Sequence, residues 1–243
     1  MEFLDFKQEL VSSLKLNSID IEIDDDKIKK LYDLTNIMIE VNTSMNLTAI
    51  TDEKAIILKH YVDSLTVSKY IPDKATVIDV GCGAGFPCLP LAIFRPDLTI
   101  TALDSTAKRI KYIENTANKL EINNIRAIAA RAEECGKKDG YRESFDVVTA
   151  RAVAALPVLS ELCLPFVRIG GKFVSMKASQ GEREAIDAQN AIKLCGGEIK
   201  SVDKLELLSD NPPESRTIIS VSKISPTPAK YPRHYSQISK KPL

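Results

Sequence analysis

Three alternating glycines, Gly81, Gly83 and Gly85, form the segment of the sequence best suited to hold a ligand. They follow a short apolar run, and glycine permits both a tight turn and the close approach of a ligand to the backbone. Phe86 stands where a dinucleotide fingerprint has its third glycine, so that fingerprint is incomplete. Asp79 precedes the loop, and a carboxylate there suits a cationic ligand better than a pyrophosphate. The loop therefore favours S-adenosyl-L-methionine, which carries a sulfonium and an ammonium group but no phosphate.

Carboxylates also follow the next two apolar runs. Asp104 closes the run over residues 99–103, where it can accept hydrogen bonds from both ribose hydroxyls. This placement suits a dinucleotide equally well, so Asp104 alone does not separate the two ligands. Glu133 follows the run over residues 125–129, where it and nearby backbone amides could bind an adenine edge.

The elements that must position these residues alternate in type from about residue 71 onward. Short apolar runs separated by helical segments are typical of a parallel sheet that is buried on both faces. The predicted strands span residues 76–80, 99–103, 125–129, 145–149 and 171–176, followed by two antiparallel edge strands over 198–208 and 217–223. The predicted helices between them span residues 89–94, 107–120, 158–164 and 182–194.

The chain divides into three predicted parts: an N-terminal helical cap over residues 1–70, a main domain over 71–224 and a basic, proline-containing tail over 225–243. In the cap, Ile28, Leu31, Leu34 and Met38 recur at helical spacing after an acidic start. Thr51 to Glu53 open a second helix that carries His60. The prolines of the tail predict an extended course over the surface.

Composition excludes several classes of protein. The 33 basic residues balance 33 acidic ones, which excludes a uniformly basic nucleic-acid coat protein. The balance conceals a net charge of −5 over residues 1–60 and +6 over residues 215–243. Five cysteines without a C-x-x-C pair predict buried, reduced thiols and no metal site. No apolar stretch of about 18 residues exists, and the N-terminus lacks a signal-peptide pattern, so we expect a cytoplasmic protein without membrane segments.

Six motifs, in order along nearly the whole chain, resemble the bacterial 16S ribosomal RNA methyltransferase family once called glucose-inhibited division protein B. They are Asn46-Leu47-Thr48, His60-Tyr61-Val62-Asp63-Ser64, Asp79-Val80-Gly81-Cys82-Gly83-Ala84-Gly85-Phe86-Pro87, Leu103-Asp104-Ser105 with Lys108-Arg109, Arg131-Ala132-Glu133-Glu134, and Ala150-Arg151-Ala152-Val153-Ala154. The sequence departs from the family pattern at Cys88 and at Tyr235-Ser236-Gln237-Ile238 in the tail.

The resemblance implies an α/β fold of the class I S-adenosylmethionine-dependent methyltransferases, with a Rossmann-like seven-stranded sheet. It implies transfer of a methyl group to N7 of a single guanosine, numbered about 527, in 16S rRNA, with S-adenosyl-L-homocysteine as the second product. The small ribosomal subunit or an assembly intermediate is the implied partner, and we expect a monomer. The residues that the resemblance assigns to the cofactor are Gly81, Phe86, Ala132, Glu133 and Arg151; Gly83, Gly85, Asp79 and Asp104 are added from the loop and strand-end arguments.

Guanine N7 carries a free lone pair and loses no proton before it attacks, so no general base is required. Arg151, at the end of the fourth strand, is the residue we expect to border both substrates. Asn46, His60, Arg131 and Lys177 are weaker candidates.

Each assignment has a simpler alternative. Asp79 could simply cap the glycine turn, without contacting a ligand. His60 could be a packed helix residue, and Asn46 could be a turn residue or helix cap. Arg131 and Arg151 could pair structurally with Glu133, Glu134 or Asp104. The basic tail could be a solvated end. Two other functions also stay open: a catalytically silent RNA-binding or ribosome-assembly factor with this fold, and an NAD-dependent oxidoreductase.

Overall fold

A computed structural model describes all of residues 1–243 and contains one seven-stranded sheet. Its strands are β1 (Thr76–Val80), β2 (Thr99–Asp104), β3 (Ile125–Ala129), β4 (Phe145–Arg151), β5 (Val167–Lys177), β6 (Gly197–Leu207) and β7 (Glu214–Lys223). Its α-helices are α1 (Phe3–Leu16), α2 (Asp25–Met45), α3 (Glu53–Ile56), α4 (Asp63–Leu65), α5 (Cys88–Phe94), α6 (Ala107–Lys119), α7 (Ala132–Cys135), α8 (Leu156–Cys163), α9 (Gly181–Asp187), α10 (Gln189–Leu194) and α11 (Tyr235–Lys240).

The strands lie in the order β3-β2-β1-β4-β5-β7-β6. The first five strands pair in parallel, whereas β7 is antiparallel to both β5 and β6. The chain order therefore reverses between β1 and β4, and ligands of open α/β sheets bind outside the carboxyl ends of strands at such a point. The prediction that β7 is an edge strand was wrong, because its buried residues, such as Ile218 and Ile219, pair on both sides.

Two hydrophobic clusters cover the two faces of the sheet. Successive strand residues point to opposite faces, so Val77 belongs to one cluster and Ile78 to the other. The cluster of 41 residues also contains Phe6 and Leu31 of the N-terminal helices. The N-terminal helical cap and the sheet therefore share one core.

The N-terminal helices have the capping residues that the sequence indicates. The Asp24 side chain accepts a hydrogen bond from the Lys27 amide at the start of α2. Asp52 accepts one from the Ala55 amide at the start of α3. This helix continues through a π-helical segment, Ile57–Val62, into α4. The π-helical segment has no signature in the sequence pattern, which predicts only an ordinary helix.

The tail differs from its predicted extended course. It forms α11, and Ile238 is fully buried against the α8 side of the sheet. Arg233, on the way to α11, binds the fully buried carboxylate of Glu161 with an Nη2–Oε2 distance of 2.6 Å. The predicted helix over residues 182–194 is also interrupted, at Ala188 between α9 and α10.

All five cysteines are buried and free of disulfide bonds, as predicted. No helix combines the length and the apolar character that crossing a lipid bilayer requires.

Candidate functional site

A cavity of about 410 Å³ opens beside the carboxyl ends of β1, β2, β3 and β4. Its volume lies in the range of pockets that bind small organic ligands, roughly 300–1,000 Å³. It spans the point where the strand order reverses. The residues singled out from the sequence that line it are Gly81, Gly83, Phe86, Asp104, Ala132, Glu133, Arg151, His60 and Arg131.

The glycine loop forms the middle of the cavity wall. Gly81 and Gly83 have φ angles of +75° and +57°, in the left-handed region that favours glycine. A Cβ built on Gly83 would meet only the Gly81 carbonyl oxygen, at 3.9 Å, so it would point into open space. A Cβ on Gly81 would instead lie 2.6 Å from Val153 Cγ2. The loop therefore leaves room for a ligand at Gly83 and is packed at Gly81.

Asp104 ties the end of β2 to this loop. Its Oδ2 accepts a hydrogen bond of 3.1 Å from the Gly83 amide, and its Oδ1 accepts one of 2.8 Å from the Thr106 amide. The exposed guanidinium of Arg109 lies 3.6 Å from Oδ2. The carboxylate is thus fixed at the cavity wall, where each oxygen keeps a further lone pair for a ligand hydroxyl.

The segment after β3 supplies the next part of the wall. Arg131 precedes α7, whose first residues are Ala132 and Glu133. All three line the cavity, and Glu133 is buried. Arg131 is exposed and forms no ion pair with Glu133, Glu134 or Asp104, so the alternative of a structural pair was wrong for this arginine.

At the end of β4, Arg151 is held by elements from distant parts of the chain. Its Nη1 donates to the Lys59 carbonyl at 2.8 Å and to Asp63 Oδ2 at 3.0 Å. The other oxygen of Asp63 accepts a 3.2 Å hydrogen bond from Arg216 Nε on β7. Arg151 also lies over the Phe86 ring, 5.5 Å from its centroid. Its partner is therefore Asp63, and none of the three acids that the sequence suggested as alternatives.

His60 packs between these groups. Its ring stacks on Phe86 with the centroids 4.3 Å apart, and its Nε2 lies 3.0 Å from Thr48 Oγ1. Arg151 Nη2 lies 3.5 Å from His60 Nδ1, which fits a tautomer that accepts at Nδ1 and donates at Nε2. Burial, followed by the Arg151 charge, lowers the pKa of His60 from 6.5 to about 4. The imidazole is therefore neutral at neutral pH.

Asp79 and Gly85 do not line the cavity. Asp79 lies beneath the loop with 1% of its surface exposed, and its Oδ1 accepts a 2.9 Å hydrogen bond from Thr149 Oγ1. Burial raises the pKa of Asp79 from 3.8 to about 6. A Cβ on Gly85 would lie 2.4 Å from Leu89 Cδ1, so this glycine permits close packing of the loop on α5. Both residues support the loop from below.

Asn46 and Lys177 also lie outside the cavity wall. Asn46 ends α2 in the left-handed conformation, which supports the alternative of a helix cap. Lys177 Nζ lies 2.8 Å from Glu184 Oε2 and donates to the Ala154 carbonyl at 2.5 Å. Because Glu184 also accepts a hydrogen bond from the Leu156 amide, Lys177 and Glu184 together hold the loop after β4, away from the cavity wall.

Several residues of the site have no predicted role in the sequence. Thr48 and Asp63 occur in the family motifs, but no sequence pattern predicts which residues they contact. Arg216 lies outside every motif, so no signal pointed to it. Tyr235, from the tail segment that departs from the family pattern, lines the cavity together with Leu162 of α8. The docked tail therefore forms part of the cavity wall.

Comparison with protein families and with individual proteins gives a consistent result. The family model GidB, described as rRNA small subunit methyltransferase G, matches residues 27–211. A protein named Ribosomal RNA small subunit methyltransferase G from Alkaliphilus metalliredigens is 41% identical over 223 residues, covering 91% of this chain and 92% of its own. The protein of the same name from Clostridium kluyveri is 39% identical over 245 residues and covers both chains completely.

Solved structures with similar folds are more distant in sequence. The M. jannaschii protein TYW2, in complex with AdoMet, has a TM-score of 0.52 and 15% identity, covering 67% of this chain and 77% of its own. A SAM-dependent methyltransferase from Aquifex aeolicus has a TM-score of 0.52 and 15% identity, covering 70% of this chain and 93% of its own. These likenesses support the predicted class I methyltransferase fold.

Proposed function

Because the chain belongs to the rRNA small subunit methyltransferase G family, we propose that it transfers one methyl group from S-adenosyl-L-methionine to N7 of a single guanosine, numbered about 527, in 16S rRNA. Membership of this family makes the chain a methyltransferase. This function is favoured over the two alternatives, an oxidoreductase and a catalytically silent assembly factor. The observation that supports the proposal is that the glycine loop, Asp104 and Glu133 meet Arg151 in one cavity.

The residues of the cavity fit this methyl donor. The fixed carboxylate of Asp104 would hold the ribose hydroxyls, and Ala132 and Glu133 would border the adenine. The open space at Gly83 would let the ligand lie against the loop backbone. Two buried carboxylates in the wall, with Asp79 beneath the loop, favour a cationic ligand and disfavour a pyrophosphate.

S-adenosylmethionine, when bound, supplies an electrophilic methyl group on a sulfonium sulfur. Guanine N7 presents an in-plane lone pair and needs no deprotonation, so the protein's task is to orient the base and exclude water. The neutral His60 agrees with this task, because a cation beside N7 would compete for its lone pair. The chain therefore needs positioning groups at the base and no proton acceptor.

Arg151 is suited to position the guanine. Lys59 and Asp63 hold its Nη1 in place, whereas its Nε makes no hydrogen bond and its Nη2 makes only the 3.5 Å contact with His60. A guanidinium has five N–H donors, so two or three remain for the guanine O6 or a phosphate. We propose that Arg151 donates to the target base and that Phe86 and His60 keep its side chain in that orientation.

Methyl transfer from tritium-labelled S-adenosylmethionine tests the proposal. The protein is incubated with 16S rRNA and with small subunits from cells that lack the corresponding gene, and the labelled nucleotide is then mapped. We expect one labelled guanosine near position 527, methylated at N7. Labelling of another nucleotide, or of another atom of that guanine, would refute the proposal while leaving the methyltransferase assignment intact.

A further inference from the structure

A groove of about 340 Å³ runs between the second half of α2 and the helix α6. It lies outside the cavity described above, and none of its residues lines that cavity. Apolar and basic side chains share its wall, and no carboxylate does. The lining residues are Ile37, Val41 and Met45 on α2, with Lys108, Lys111, Tyr112, Asn115, Thr116 and Lys119 on α6.

The groove carries positive charge with little compensation. Lys108 and Lys119 form no ion pair, and Lys111 has only a 3.7 Å contact with the exposed Glu114. Lys108, Lys111 and Lys119 extend along one helix for three turns, at intervals of three and eight residues. Such a row fits a ligand with several negative charges.

Two buried hydroxyls lie in the same wall. Tyr112 is 4% exposed and Thr116 is 1% exposed, so both lie beneath the lysine side chains as the floor of the groove. Neither hydroxyl oxygen is exposed to solvent, so both residues present apolar surface to the groove.

The groove continues into the cavity along two elements. On α6, Lys108 lines the groove and Arg109, the next residue, lines the cavity. At the end of α2, Met45 lines the groove, whereas Leu47 and Thr48 line the cavity. A chain molecule with one unit in the cavity can therefore place a neighbouring unit in the groove.

We propose that this groove binds a nucleotide of the ribosomal RNA that flanks the target guanosine. The phosphates lie against Lys108, Lys111 and Lys119, and the base packs on the apolar side chains of Ile37, Val41 and Met45. This inference rests on the proposed function, which supplies an RNA substrate for the adjoining cavity. It assigns substrate recognition to a surface that contributes nothing to holding the methyl donor.

A charge test compares two double variants. Lys108→Gln with Lys119→Gln removes the unpaired charges of the groove. Lys193→Gln with Lys200→Gln is the matched control, because these exposed, unpaired lysines lie on α10 and β6, at the opposite edge of the sheet from β3, on which α6 packs. The affinity for purified 16S rRNA is measured by filter binding over a range of KCl concentrations, without methyl donor. Failure of methyl transfer therefore leaves this test unaffected.

We expect the groove variant to bind 16S rRNA about tenfold more weakly than the control at physiological salt, with a salt slope lower by roughly 1.4, the value for two phosphates of a single strand. Equal affinities of the two variants would overturn the proposal. A loss of affinity for intact small subunits, but not for purified 16S rRNA, would also overturn it, because the groove would then hold an acidic protein segment.

A local probe can report occupancy directly, since the chain contains no tryptophan. Asn115→Trp places one on the exposed rim of the groove, and Ile186→Trp places one at a 67% exposed position on α9. Saturating 16S rRNA should quench the fluorescence of the first variant and leave the second unchanged. Equal responses from the two variants would contradict the placement of RNA in this groove.

Discussion

At the glycine-loop end of the cavity, backbone amides meet one carboxylate, whereas at the β4 end three elements from distant parts of the chain meet at Asp63. Asp104 binds the amides of Gly83 and Thr106, which lie 21 and 2 residues away. Asp63 binds Arg151 and Arg216, which lie 88 and 153 residues away. The first end is assembled within consecutive strand–helix units, and the second joins the N-terminal helices to the sheet. Substitutions at the two ends should therefore have different consequences.

The largest effect on stability is expected from Asp63→Ala. This change leaves Arg151 and Arg216 without their shared buried partner, and removing one member of a buried ion pair costs about 3–5 kcal/mol. Urea unfolding followed by circular dichroism measures the loss of unfolding free energy. Glu214→Gln is the control, because Glu214 forms partly exposed pairs with Lys59 and Arg216 that are worth about 1 kcal/mol or less. A loss no larger than that of the control would contradict the role of Asp63.

The next largest effect is expected on methyl transfer in Arg151→Ala. Loss of a hydrogen-bond donor aimed at the reacting base typically lowers turnover by about 100-fold or more. The fold also loses the contacts to Lys59 and Asp63, worth about 1–3 kcal/mol, so this end of the cavity couples activity to stability. Single-turnover methyl transfer and urea unfolding are measured on the same preparations.

Arg216→Ala separates the two contributions of Arg151. The substitution removes the other hydrogen-bond partner of Asp63, but Arg216 does not line the cavity. The variant should therefore lose a similar amount of stability and retain methyl transfer. A comparable loss of transfer in both variants would show that Arg151 acts only through the fold.

The same contrast explains what could be predicted from the sequence. Apolar runs and glycines are local signals, so β1 and β3 have their predicted bounds and the placement of Asp104 at the cavity was correct. The Asp63 ion pairs join residues far apart in the chain, and no local pattern encodes them. The docked tail was missed for the same reason, because the buried partner of Arg233 is Glu161, 72 residues earlier.

Residue type alone does not predict where the side chains of Asp79 and Lys177 point. Both are charged residues at strand ends, where a functional contact is common, yet Asp79 lies beneath the loop and Lys177 binds Glu184. The direction in which a strand-end side chain points depends on one residue of register. The sequence pattern predicts strand ends only to within a few residues: β4 extends two residues beyond its predicted end, and β5 begins four residues before its predicted start.

At the glycine-loop end, Gly83→Ala should weaken binding of S-adenosylmethionine about fivefold, equivalent to about 1 kcal/mol, because its Cβ points into open space at the cavity. The positive φ adds strain of roughly 1–2 kcal/mol to the fold. Gly140→Ala is the matched control, since Gly140 has a φ of +81°, no neighbour within 4 Å and no place in the cavity wall. Calorimetric titration and thermal melting measure the two effects. Equal donor affinity in both variants would exclude close approach of the ligand at Gly83.

The smallest effects are expected from pH. Asp79, with a pKa of about 6 in the folded protein, keeps a proton that the unfolded chain loses above about pH 3.8, so its contribution to stability decreases as pH rises through 6. In Asp79→Asn this decrease is absent. The stability of the variant relative to the wild type should therefore rise by about 1 kcal/mol between pH 5 and pH 7. Urea unfolding at a series of pH values measures the difference, and a constant difference would contradict the raised pKa.

His60 has the opposite dependence on pH. Its folded-state pKa of about 4 lies below 6.5, so the unfolded chain takes up the proton first and stability decreases as pH falls through this window. The windows of His60 and Asp79 overlap between about pH 4 and pH 6, where the two contributions offset each other in the wild type. His60→Gln should therefore gain stability relative to the wild type as pH falls, whereas Asp79→Asn should lose it. If the stability of both variants relative to the wild type changed in the same direction as pH falls, the opposite pKa shifts of His60 and Asp79 would be contradicted.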